Sequence, residues 1–399
     1  MAGGVLVSLV ERFAPLIDEV REGAVERELA DAAPHDVVRS LADAGIGAVR
    51  LPEAGGASIA DTIELVIALS AADSNVGHLL RSHFGFVELV LRRAPGSDRD
   101  EWIRRIAGGA LVGNATSELS GTTLADISTA VTEDDEGWRL DGRKFYSTGT
   151  AYSDWVYLAA ARDGRRVTFA VPTDATGVRV LDDWDGFGQR QTASGTTVFD
   201  GVRVDEADFA VYGEGPLTHI QAFYQLHLVA VLAGIADEVV RDAAAFVRPR
   251  TRSYVHANTA RPADDPQVLE VVGRLSTAAF AVRAATLEAA RGLDAAVAAT
   301  PPGEPVDRGL LERAEVAVYR AQVLATDEVP AAATRLFEIG GASATERTRA
   351  LDRHWRNARV VASHNPAVFK ARTIGSWEVS GRSPLDAWIR YETVGPTRF

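Results

Sequence analysis

The residues best suited to chemistry lie late in the chain and around its middle. His364 follows a helical-looking stretch and precedes Asn365-Pro366, so it falls at a helix end. No carboxylate lies between Asp352 and Glu378. An imidazole titrates near neutral pH and can give or take a proton; at a helix C-terminus it can also serve only as a cap. Ser147 closes a strand-like run beside Thr148-Gly149. Its hydroxyl and backbone N–H suit a ligand edge, or equally a plain turn. Asn114 follows Gly113 in a loop, where its amide has the same two readings. Arg252 sits in RPRTRSYVHA (248–257). A guanidinium clamps phosphate oxygens well, although charge clusters in loops are also solvated. Trp184, in DDWDGFGQR, offers a rigid wall for an apolar pocket or a core ring. Arg353, His354, Trp355, Arg356 and Arg359 crowd one helix, where Arg356 and Arg359 share a face and His354 reads as structural. Histidines 35, 78, 83, 219, 227 and 256 show no metal-ligand spacing, so no metal site is expected; of these only His83 is kept as a pocket candidate.

Composition narrows the chemistry further. The chain has 399 residues, which suggests two to three domains at roughly 150 residues each. It has no cysteine, so thiolate metal sites, disulfides and a cysteine nucleophile are excluded. Basic residues number 42, of which only Lys144 and Lys370 are lysines, and the net charge is −13. That balance argues against nucleic acid as a partner. Nothing near Val5–Val10 reads as a signal peptide, and no uninterrupted apolar run approaches a membrane span. A cytoplasmic protein with no membrane partner is expected.

Periodicity divides the chain into three blocks: 1–110 helical, 111–212 rich in short strands, and 213–399 helical again. Leu6, Val10, Phe13, Ile17, Val20 and Ala24 step by three and four, with Pro15 as an interruption. A helix from about Pro34 ends before Gly45; others cover 59–72, 76–93 and about 97–108. In the second block, β-branched and aromatic runs at 128–132, 138–140, 143–147, 155–161, 167–171, 178–181 and 196–204 are separated by Asp-Gly and Asp-Glu-Gly turns. This predicts an antiparallel barrel or sandwich. The third block holds helices long enough for a bundle at 219–247, 267–298 and 308–340, then shorter ones at about 344–362 and 366–379. Strands and helices do not alternate, so a Rossmann sheet is excluded.

The order and several segments resemble the acyl-CoA dehydrogenase family: AGIGAVRLPEAGG (44–56), GNATSE (113–118), DGRKFYSTGTAYSDW (141–155), FGQRQTASGTTVFDGVRV (187–204) and FEIGGAS (337–343). The resemblance spans nearly the whole chain. It implies a mostly α fold with an N-terminal helical domain, a central β-barrel domain and a C-terminal four-helix bundle. Where many members carry a glutamate base, this chain has LDRHWRNARVVASHNP (351–366). That string resembles the dibenzothiophene monooxygenase branch, which puts flavin-dependent oxygenation on the same fold.

The resemblance implies reduced FMN, or FAD, supplied by a separate NAD(P)H-dependent flavin reductase. O2 adds at the flavin C4a as a peroxide, and one oxygen passes to a small-molecule substrate at sulfur, nitrogen or activated carbon. His364, Ser147 and Asn114 would be catalytic. Asn114, Ser147, Thr148, Arg252, Gly340 and Gly341 would hold the cofactor, the last three across a subunit boundary. Phe84, Trp184, Phe223, Tyr224 and His83 would line the substrate pocket. A homotetramer is implied. Ser343 departs from related oxygenases, which often carry an arginine there. Two alternatives stand: an acyl-CoA dehydrogenase with its base relocated, for example to the helix bearing Glu238, or a flavin-free, non-catalytic member of the fold.

Overall fold

The computed structural model describes residues 8–119 and 127–386. Helices α1 (Leu9–Ala30), α2 (His35–Asp43), α3 (Ile59–Ala72), α4 (Ser74–Leu79), α5 (Arg81–Arg92) and α6 (Ser97–Ala107) come first. Ser8 and Glu11 form a capping box that starts α1. Pro15 does not break this helix, which runs through it to Ala30; the buried stripe Phe13, Ile17, Val20 and Ala24 holds it against the core. Leu6, which the sequence pattern puts first on that stripe, lies outside the described residues.

Eight strands follow: β1 (Val112–Ala115), β2 (Ala130–Asp134), β3 (Gly137–Lys144), β4 (Trp155–Arg162), β5 (Arg165–Pro172), β6 (Val178–Val180), β7 (Thr197–Val204) and β8 (Ala210–Val211). They form one sheet in the order β6-β7-β3-β2-β4-β5-β8, with β1 beside β4. The pattern is mixed, since β1 and β2 both pair with β4 in parallel. Asp141-Gly142, which the sequence marks as a turn, is instead an irregularity within one strand, with the β3–β7 register shifting between Leu140 and Gly142.

The last block contains α7 (Ile220–Val247), α8 (Pro266–Ala298), α9 (Arg308–Arg335), α10 (Asp352–Ala362) and α11 (Ala367–Ser380). The stretch expected as a single helix over 344–362 is shorter, because residues 341–349 form 3-10 turns before α10. α7 is the central helix. It buries Phe223, Leu226, Val229, Leu232 and Val239 among α3, α8 and α9, each side chain contributing about 1.5–3 kcal/mol. It is also long and apolar enough to cross a membrane, with a mean hydropathy of 1.4 over its most apolar window, and 83% of that window is buried inside the molecule. Gln225 and His227 interrupt the apolar run on which the sequence reading relied. A second core fills the β-domain, and a third joins α5 and α6 to β1 through Phe86, Trp102 and Val112. The third core fixes the sheet against the N-terminal helices.

Candidate active site

The site begins at a break in what the sequence presents as a single helix over 76–93. Asp73 caps α4 by accepting from the Asn75 backbone N–H. α4 ends at Leu79, Leu80 turns the chain, and α5 starts afresh at Arg81. The turn after β3 docks on this break. Ser82 Oγ donates to the Thr148 carbonyl at 3.0 Å. Gly149, at φ +79°, lies so close to Leu79 that a Cβ would stand 2.3 Å from its carbonyl oxygen. Only glycine satisfies both the backbone conformation and that approach.

The break sets His78 and Arg81 one turn apart, facing the ends of α7 and α10. His78 Nδ1 lies 2.9 Å from Gln189 Oε1. The amide oxygen accepts, so Nδ1 carries the proton and Nε2 presents a lone pair, which is buried with no partner. The His78 ring is edge-on to His364 at 6.4 Å between centroids. His364 Nδ1 accepts from the Asn365 amide at 3.1 Å, which leaves Nε2–H as its free donor. Asn365 also donates to Gln225 Oε1 on α7 at 2.8 Å, and Gln322 on α9 donates to the same oxygen at 3.1 Å. The Asn365 side chain is therefore tied to the bundle and orients the imidazole.

Arg81 governs the charge. Its Nε donates to the Tyr224 carbonyl at 3.0 Å and its guanidinium lies 4.9 Å from the centre of the Tyr224 ring. Gly85 makes room for that ring, since a Cβ would stand 2.0 Å from Tyr224 Cε1. Burial lowers the Arg81 pKa to about 10, so it stays charged at neutral pH. Burial, reinforced by Arg81, lowers His78 to about 4. Burial dominates again at His227, lowered to about 3, with Arg81 and His78 as lesser causes. His364 opens to solvent in the cleft, yet the protein packed around it, then Arg81 and His78, hold its pKa well below the usual value. All three imidazoles are neutral at pH 7. Among the described residues, none of these four groups has a carboxylate at ion-pair distance.

The β-domain supplies the opposite wall. Ser147 is fully buried and its Oγ has no partner. Thr148 Oγ1 shares a hydrogen bond with Ser194 Oγ at 2.7 Å. Asn114 on β1 is locked to the same turn through Thr150 Oγ1, which bonds both its N–H and its carbonyl at 3.1 Å. Its half-buried side-chain amide makes no hydrogen bond among the described residues. Trp184 donates from Nε1 to the Gln189 carbonyl at 3.1 Å and meets Tyr146 edge-on at 6.0 Å. Tyr146 and Gln189 both hold left-handed backbones, φ +57° and φ +53°. Such conformations cost about 1–3 kcal/mol in a non-glycine residue and collect at functional sites. Gln189 ties its own loop to two helices: its side chain bonds His78 and Ser74 on α4, and its N–H donates to Asn357 Oδ1 on α10 at 2.6 Å.

Contacts thus gather several of the expected residues around the α4–α5 break: Thr148 through Ser82, His364 through His78, Trp184 through Gln189, Tyr224 through Arg81, and Ser147 and Asn114 through the turn that docks there. Three of the expected pocket residues have structural contacts. Phe84 and Phe223 are fully buried and belong to the main hydrophobic core of the helical blocks. His83 uses both nitrogens structurally: Nε2 donates to the Gly47 carbonyl at 2.9 Å and Nδ1 accepts from the Val112 N–H at 3.2 Å.

Arg252, Gly340 and Gly341 stand apart from the cleft of their own chain. Arg252 is exposed in the loop after α7. Gly340 packs on Phe246, 22 residues along α7 from Tyr224, about 33 Å at 1.5 Å per residue. Ser343 is exposed in the 3-10 turn beside them. Glu238, the relocated base of the acyl-CoA dehydrogenase alternative, lies 11 residues beyond His227, about 16 Å away along the helix. Its oxygens face Arg21 and Arg241 instead, so it is no base for this cleft.

The sequence reading missed His78, Arg81 and Gln189. Metal spacing was the wrong test for the histidines; the usable signal was a polar His-x-x-Arg step inside an otherwise apolar helix.

Known proteins share this fold. The family described as acyl-CoA dehydrogenase, C-terminal domain, matches residues 226–368, and the acyl-CoA dehydrogenase middle domain matches residues 114–202. A probable FMNH2-dependent monooxygenase, SfnC, of Pseudomonas putida is 30% identical over 389 residues, covering 94% of this chain and 95% of its own. The dibenzothiophene monooxygenase of Mycolicibacterium goodii is 28% identical, over 90% of this chain and 91% of its own. The crystal structure of TdsC from Paenibacillus sp. A11-2 with FMN and indole superposes with a TM-score of 0.86 at 26% identity, over 94% of this chain and 98% of that one. The fold is that of the acyl-CoA dehydrogenases. Within that class, the chain belongs to the acyl-CoA dehydrogenase family, in its flavin-dependent monooxygenase branch.

Proposed function

We propose that this chain is the oxygenase of a two-component system. It takes reduced FMN from a separate NAD(P)H-dependent reductase and uses O2 to oxygenate a small molecule. The observation that carries the reading is the polarity of the cleft: a free His364 N–H, an unpartnered Ser147 hydroxyl and an unpartnered His78 nitrogen, with no carboxylate base beside them among the described residues. A dehydrogenase of this fold needs a base to remove an α-proton; an oxygenase needs hydrogen-bonding groups and a site that excludes water.

The residues fit FMN. Asn114 on β1 and Ser147 and Thr148 on the turn bonded to it offer amide, hydroxyl and backbone groups, two of them without protein partners for their side chains among the described residues. When bound, reduced FMN supplies the electrons and the site of oxygen activation. His364 donates from Nε2 and stays neutral through the physiological range, because its folded pKa lies well below 6.5. His78 accepts at Nε2. Between them, the two rings can hold or pass a proton at the reacting oxygen. Trp184 and Tyr146 shield the mouth from water.

A homotetramer is part of the proposal. Arg252, Gly340 and Gly341 cannot reach the cleft of their own chain, so they would complete a neighbour's FMN site. α11 buries none of its residues, and Val368, Phe369 and Val379 are exposed on it, as an interface helix would be.

The test is an anaerobic titration of the purified protein with reduced FMN, followed by oxygen. Tight binding of reduced FMN and substrate-dependent turnover only with a reductase present are expected. Tight oxidised flavin that an acyl-CoA bleaches would refute the reading.

A further inference from the structure

Resting on the reading above, we propose that the cleft selects a small organic anion, whose negative charge pairs with Arg81. Other arginines of the helical blocks set the comparison: Arg92, which is buried, spends both terminal nitrogens on the Thr300, Pro301 and Glu304 carbonyls, and four partly buried ones have carboxylate partners. Arg27 is paired with Asp73, Arg50 with Glu88, Arg353 with Asp242 and Arg356 with Glu28. Arg81 has no such partner. Only its Nε is committed, to a backbone carbonyl, and its terminal nitrogens make no hydrogen bond among the described residues.

Arg81 is partly buried; a partly desolvated charge without a counter-charge is unfavourable, and a ligand that supplies one offsets that penalty. The rest of the cleft cannot supply it. His78, His227 and His364 are neutral, and Tyr224, whose pKa burial raises, keeps its proton. A net charge of −13 elsewhere on the chain makes the carboxylate-free cleft more pronounced.

The geometry favours an oxyanion over a halide or a diffuse charge. A guanidinium with both terminal nitrogens free presents a planar fork that matches two oxygens on one atom, as in a carboxylate or a sulfinate. Tyr224 holds that fork in place from both its carbonyl and its ring, so little side-chain freedom is lost on binding.

The test uses near-isosteric charged and uncharged pairs: methanesulfinate against dimethyl sulfone, and benzenesulfinate against methyl phenyl sulfone. Binding is measured by calorimetry on the full chain loaded with reduced FMN under anaerobic conditions. The sulfinates should bind more tightly than the sulfones. Arg81→Gln should weaken sulfinate binding by about 10- to 100-fold, the range of a lost charge-assisted hydrogen bond, and leave sulfone binding unchanged. Arg81→Lys, which keeps the charge and loses the fork, should fall between them. Equal affinity for both members of each pair overturns the inference. So does an Arg81→Gln variant that loses affinity for reduced FMN and keeps its affinity for sulfinate, because the arginine then serves the cofactor. A wild-type protein that binds no reduced FMN overturns the proposed function itself, and this inference with it.

Discussion

Two histidine–arginine pairs lie at the two ends of α10, and they are built in opposite ways. At its start, Arg353 and His354 both bond one carboxylate: Asp242 Oδ2 is 2.8 Å from Arg353 Nη2 and 2.7 Å from His354 Nε2. Beyond its end, His364 and His78 share a cleft with Arg81 and no carboxylate is in reach. The first group is a closed account of donors and acceptors, as a structural network should be. The second leaves a hydroxyl, an imidazole nitrogen and a guanidinium open. Buried polar groups are normally satisfied, so the unmet set marks where a ligand belongs. Substitutions on the two sides should therefore separate cleanly into losses of turnover and losses of stability.

The largest effect is expected in the cleft. His364→Ala should lower kcat by about 10²- to 10³-fold, the scale of removing a positioned proton donor, while the melting temperature stays within a degree or so of the parent, since this side chain is exposed. A variant that melts early, or one that turns over normally, would remove the distinction between the two histidines.

Next comes the network. Asp242→Asn strips Arg353 and His354 of their shared partner in a mostly buried place. It should cost about 2–4 kcal/mol, the lower part of the range for breaking a buried pair because Asp242 keeps some exposure. Denaturant unfolding would read this directly, and kcat per folded molecule should hardly change. Midpoints equal to the parent's would show that the network contributes no more than surface ion pairs do.

Gly85→Ala tests the join between the cleft and the bundle. The new methyl would stand 2.0 Å from a Tyr224 ring carbon, and overpacking of this kind costs about 1–3 kcal/mol. The Tyr224 ring underlies Arg81, so displacing it should weaken anion binding as well as stability. A loss of stability alone would mean that the ring is packing and not a support.

Much of this comparison was legible in the chain and some of it was not. The three blocks and the substitution of LDRHWRNARVVASHNP for a glutamate base stand in the sequence because periodicity and motif are local. His364, Ser147 and Trp184 carry such local marks. Arg81 and His78 do not: their meaning depends on the helix break at Leu80, which no proline or glycine announces. The absence of a counter-charge is a property of three elements at once. Phe84 and Phe223 enter the expected pocket through the family resemblance, and the packing of α7 against α3, α5 and α9 places both in the core. Arg252 and Gly340 are distant from Tyr224 and Arg81 because α7 runs for 28 residues between them.

The smallest effect is a difference in pH response, and its sign follows from linkage. His78 and His227 have folded pKa values of about 4 and about 3 against 6.5 unfolded. Below pH 6.5 the unfolded chain binds protons that the folded cleft refuses, so this stability is full above 6.5 and is lost progressively as pH falls toward 4. His354 in the network behaves the same way, at about 4. Glu238 has the opposite sign. Burial, then the neighbouring Asp242, raises it to about 7 from 4.5, against the pull of Arg21, Arg241 and Arg353. The folded state therefore holds its proton after the unfolded state has released it. This contribution is full below 4.5 and disappears as pH rises through 7. Stability should climb from pH 4 to about 6.5 on the histidines, then dip slightly before levelling off. Half a unit of the Glu238 titration above pH 6.5 corresponds to about 0.7 kcal/mol, a degree or two in melting temperature. Glu238→Gln should abolish the dip and leave the acid limb intact, because Gln cannot ionise and the histidines are untouched. Melting curves that keep the dip in that variant would assign it to another group and separate Glu238 from the network that Asp242 organises.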